Sequence, residues 1–73
     1  MSLDVTVREE PTELYKILKI AGLVASGGEA KFVVSEGKVR VNGAVETQKR
    51  KKIMVGDLIE FGGETLRVRL KQG

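Results

Sequence analysis

A chain of 73 residues, 41% hydrophobic and 32% charged, makes one small domain with a single modest core and has no room for a second. It contains neither cysteine nor histidine, which excludes a disulfide framework and a thiolate metal site and removes the usual general base, so no enzyme, cofactor or metal is expected. The net charge of +3 is uneven: Lys16 to Lys52 carry nine cations against three carboxylates, the preceding residues sum to −3 and the following ones to zero, so the middle of the chain suits a polyanion.

In chain order, Leu3, Val5 and Val7 alternate with Asp4, Thr6 and Arg8, the pattern of a half-buried strand. Pro11 suits the first turn of a helix, where its missing N–H costs nothing. Leu14, Ile17, Leu18 and Ala21 then form an apolar stripe, with Lys16 and Lys19 on the polar side and Gly22 closing the helix. After a short connection, Ser26 and Glu29 form a capping box that opens a second helix. Ala30, Val33 and Val34 give that helix one apolar face, and Gly37 stands where a left-handed residue would end it.

The period then changes to two. Val39 and Val41 point one way, Lys38, Arg40 and Asn42 the other, and Asn42-Gly43 is the signal of a type I′ hairpin turn. Ala44 to Thr47 reads as a returning strand, and Gln48 to Lys52 as a polar, basic segment. Gly56-Asp57 punctuates the chain before a strand from Leu58 to Phe61. Gly62-Gly63 turns it into a last strand, Thr65 to Leu70, with Leu66, Val68 and Leu70 on one face. No apolar run exceeds three residues, so neither a membrane span nor a signal-peptide apolar region is expected, and the default location is the cytoplasm. The elements add up to an α+β fold: two short packed helices, helix-turn-helix-like, against a small, mainly antiparallel sheet of about four to five short strands.

Ser26, Ala30, Gly37, Val39, Val41, Asn42, Gly43, Gly56 and Asp57, at these spacings, resemble the RNA-binding domain named after small-subunit ribosomal protein S4, in its stand-alone bacterial form. The resemblance covers roughly Leu14 to Phe61. It implies one domain over residues 1–73, with a core of about 14–61 flanked by terminal strands, and an αL RNA-binding motif. Where many members carry an arginine after the helix-opening serine, this chain has Gly27 and Gly28.

The candidate RNA-binding residues are Lys16 and Lys19 on the first helix, Gly27, Gly28 and Lys31 at the start of the second, Lys38 and Arg40 on the adjoining strand, and Lys49, Arg50, Lys51 and Lys52 in the basic segment. Four cations in five residues raise the local potential and can neutralise several phosphates; taken alone, the same run is equally a solvated loop. Gly27 and Gly28 would let a phosphate reach the N–H groups of the helix start, or serve simply as a flexible entry to it. Tyr15, Phe32 and Phe61 are the only aromatics, and at least two read as core, which argues against a stacking platform for splayed bases. The expected function is a non-catalytic, monomeric module that recognises structured RNA, ribosomal or transfer, through phosphate and shape contacts, within a ribosome or other ribonucleoprotein. The alternative is a protein-interaction module of the translation or RNA-processing machinery. Duplex DNA fits less well, since the second helix turns no Arg, Asn or Gln outward to read base edges.

Overall fold

The computed structural model describes residues 2–71. The N-terminal alternation forms β1 (Ser2–Val7), which buries Val5 and Val7. Pro11 does not open a helix. It follows a cis Glu10–Pro11 bond and leads into a two-residue strand, β2 (Thr12–Glu13). Because these residues stay extended to pair with a later strand, the first helix, α1, begins only at Leu14 and runs to Ile20 (Leu14–Ile20).

α1 buries Leu14, Ile17 and Leu18. It closes through Gly22 at φ 75°: the Gly22 N–H donates to the Lys19 carbonyl (3.0 Å) and the Leu23 N–H to the Leu18 carbonyl (3.2 Å), a Schellman ending. The second helix, α2 (Gly27–Ser35), starts as the capping box requires, with the Glu29 N–H donating to Ser26 Oγ at 3.1 Å. The carboxylate of Glu29 reaches one residue further back than expected and accepts from the Ala25 N–H at 2.6 Å. α2 buries Ala30, Val33 and Val34 and ends, like α1, in a Schellman pattern, here at Gly37.

Asn42 (φ 52°) and Gly43 (φ 86°) join β3 (Arg40–Val41) to β4 (Ala44–Val45) in a two-residue hairpin. β4 is shorter than the expected Ala44 to Thr47. The chain then leaves the sheet, and Lys52 and Ile53 form β5 (Lys52–Ile53), antiparallel to β2. Two further strands, β6 (Leu58–Phe61) and β7 (Glu64–Leu70), meet across the Gly62-Gly63 turn.

The main sheet has the order β1-β7-β6-β3-β4, and β2-β5 form a separate pair. All pairings are antiparallel except β1 with β7, which run parallel in the register Val5↔Val68 and Val7↔Leu70. The terminal strands are therefore half the core's floor: Val5, Val7, Leu66 and Val68 join Val39, Val41 and Ile59 beneath the apolar faces of α1 and α2. Leu3 and Leu70, expected on that face, lie at the sheet's margin and remain 37% and 44% exposed. Neither helix is long and apolar enough to cross a membrane.

Candidate nucleic-acid interface

α1 begins without a side-chain cap, so its first N–H groups need acceptors from elsewhere. The basic segment supplies them. The Leu14 N–H donates to the Lys51 carbonyl (2.9 Å) and the Tyr15 N–H to the Lys49 carbonyl (3.1 Å). Continuation into β5 places Lys52 opposite Glu13 in the β2-β5 ladder. A segment that resembled a free loop is thus held along the start of α1 by its own backbone, and its exposed side chains belong to that end of the molecule.

Glu13 and Tyr15 are the centre of the site. Lys16 Nζ lies 3.4 Å from Glu13 Oε1 and Arg50 Nε 3.8 Å from Glu13 Oε2, so one half-buried carboxylate holds cations from α1 and from the basic segment. Lys31 Nζ sits 4.9 Å from the centroid of the Tyr15 ring and Lys16 Nζ 6.0 Å from it, which brings in α2 through cation–π contact. Lys19 and Gly27 line a shallow groove with Tyr15, Lys16 and Ile20, which continues this surface to the N-terminus of α2. Nothing lies within 4 Å of where a Cβ on Gly27 would be, and only Ser26 Oγ, at 3.8 Å, within that distance for Gly28. That helix end is open to an approaching anion. The ion pairs at Glu13 leave both cations largely exposed, with side chains 52% and 70% accessible, so the carboxylate positions them without shielding them from a ligand.

Lys16, Lys31 and Arg50 therefore meet around Glu13 and Tyr15, with Lys19 and Gly27 beside them in the groove and the backbone of Lys49, Lys51 and Lys52 running along the start of α1 and β2. Lys38 and Arg40 do not join them. Arg40 pairs in register with Val45 and Glu60 and alternates with the buried Val39 and Val41, so it projects from the sheet face opposite the helices. Lys38 and Arg40 share a groove there with the β6-β7 turn, Glu60 and Glu64. Tyr15 and Phe61 pack against the core, whereas Phe32 is 58% exposed; one exposed ring is not a stacking platform for successive bases. Sequence reasoning missed the roles of Glu13 and Tyr15. The Glu13–Lys16 spacing of three was a readable signal, but the meeting of Arg50 with Glu13 and of Lys31 with Tyr15 depends on tertiary packing alone.

Fold and site define a small α+β module that gathers lysine and arginine side chains from two helices and a docked basic segment onto one surface. The chain belongs to the S4 domain family, whose signature matches residues 5–69. It is similar to YbcJ of Escherichia coli, at 46% identity over 56 residues covering 77% of this chain and 80% of YbcJ. The solution structure of YbcJ, described as revealing an αL motif involved in RNA binding, superposes with a TM-score of 0.68 at 41% identity, covering 89% of this chain and 84% of that one. RlbA of Bacillus subtilis, a probable ribosome maturation protein, is 35% identical over 63 residues, 86% of this chain and 89% of RlbA. A tyrosine–tRNA ligase of Bordetella pertussis is 40% identical over 68 residues, which are 93% of this chain but 17% of the ligase.

Proposed function

We propose that this protein is a non-catalytic module that binds structured RNA, ribosomal or transfer, through the face formed by Lys16, Lys19, Lys31 and the Lys49 to Lys52 segment, with the open N-terminus of α2 at its edge. The observation that carries this reading is the meeting of Lys16, Lys31 and Arg50, from three separate segments, at Glu13 and Tyr15. Two largely exposed cations on one carboxylate, with a third, half-buried, against the adjoining Tyr15 ring, suit a ligand with closely spaced negative charge, such as a phosphate backbone. The Tyr15 ring is covered by lysines, which favours phosphate and 2′-hydroxyl contacts over base stacking. YbcJ and RlbA, described in terms of RNA binding and ribosome maturation, support a role on ribosomal or other ribonucleoprotein RNA. The protein acts there as a cytoplasmic monomer. Lys38 and Arg40, on the far side of the sheet, take no part in this face.

The test is a fluorescence-anisotropy titration with a labelled RNA hairpin, competed by unlabelled hairpin or by duplex DNA of equal length. The hairpin should compete well and the DNA poorly, and K49Q/R50Q/K51Q/K52Q should bind at least about tenfold more weakly. Binding by that variant at parental strength, or equal competition by DNA, would overturn the reading.

A further inference from the structure

Asn42 is the chain's only asparagine, and it is followed by glycine in an exposed turn. Asparagine before glycine is chemically labile, because a following residue without a Cβ leaves its backbone nitrogen free to attack the side-chain amide. Here the space around Gly43 is empty: nothing lies within 4 Å of where its Cβ would be. The side chain of Asn42 is held instead. Its Nδ2 donates to Asp57 Oδ1 at 3.1 Å and its Oδ1 accepts from the Leu58 N–H at 2.9 Å, while the Asn42 N–H donates to the Leu58 carbonyl at 2.7 Å. Asp57 Oδ2 accepts in turn from the Met54 N–H at 2.8 Å. This clasp ties the β3-β4 turn to the start of β6 and to the residue after β5.

We infer that Asn42-Gly43 is a deamidation site which the clasp holds closed, and whose product opens the clasp. In the reaction the Gly43 nitrogen attacks Asn42 Cγ and loses its proton, and ammonia leaves, closing a succinimide ring. Water then opens the ring to an aspartyl or an isoaspartyl linkage, so the net change is exchange of ammonia for water. Attack requires the carboxamide to leave both of its partners, so the folded protein reacts only through local opening. After reaction a carboxylate replaces the donor beside Asp57 Oδ1. A hydrogen bond becomes a like-charge contact, and among the described residues no ion pair involves Asp57 to offset it.

The experiment follows the intact chain by mass spectrometry and peptide mapping at mildly alkaline pH, folded and in urea, and measures Tm for N42D and for the exchanged pair N42D/D57N. Replacement of the amide at position 42 should be at least about tenfold slower in the folded protein than in urea. N42D should melt about 5–10 °C below the parent, and the exchanged pair, which restores a donor facing a carboxylate, should recover most of that loss. Equal rates folded and unfolded, an N42D protein as stable as the parent, or an exchanged pair no more stable than N42D would each overturn the inference. None of these readouts involves RNA, so they stand apart from the binding proposal.

Discussion

At the scale of single residues, Glu13 is the side chain whose role is least evident from its type. A carboxylate inside a cationic surface opposes a polyanion, yet here it orients Lys16 and Arg50. Exposed pairs of this kind contribute about 0–1 kcal/mol, so removing the charge should cost little stability and free one positive charge. E13Q is expected to tighten RNA binding by about two- to fivefold at low salt, with Tm within a few degrees of the parent, as read by anisotropy and thermal melting. Weaker binding by E13Q would mean that orientation outweighs charge. Glu13 was legible only through its spacing of three from Lys16, and Tyr15 not at all, because the partners Arg50 and Lys31 lie far away in sequence. Asn42 was half legible: the Asn-Gly pair announces a turn, but nothing local says that its carboxamide also clasps Asp57 and Leu58.

At the scale of elements, whatever is specified within a few residues was readable and whatever depends on distant pairing was not. The Ser26–Glu29 box, the glycine stops at Gly22 and Gly37, and the hairpins at Asn42-Gly43 and Gly62-Gly63 are local chemistry and form where expected. Pro11 was misread because the extended conformation of Thr12 and Glu13 is imposed by β5, some forty residues on, and not by its neighbours. The docking of the basic segment on α1 is non-local in the same way. Ser26 Oγ is the side-chain acceptor at the start of α2, so S26A should lose about 1 kcal/mol and lower Tm by about 4–8 °C. Because this frays the helix end where Gly27 and Gly28 lie, RNA affinity should fall modestly in the same preparation. A Tm unchanged in S26A would show that the cap carries no stability.

At the scale of the whole molecule, the parallel pairing of β1 with β7 closes the chain's two ends over one core and leaves the helices covering a single face of the sheet. That arrangement separates the cations into two populations. Lys38 and Arg40 alternate with Val39 and Val41; since the helices cover the valines, these two cations must face away from Lys16 and Lys31. The alternation was visible in the sequence, and its consequence becomes clear once the helices are known to sit on the apolar side. The most direct measurement is the salt dependence of RNA affinity for the parent, for K16Q/K31Q/R50Q and for K38Q/R40Q. If the helix-side face neutralises about four phosphates, the parental log–log slope should be near −3, the triple variant should lose about two units of it, and K38Q/R40Q should keep the parental slope. A parental affinity insensitive to salt, or a slope reduced as much by K38Q/R40Q as by K16Q/K31Q/R50Q, would contradict a single helix-side binding face.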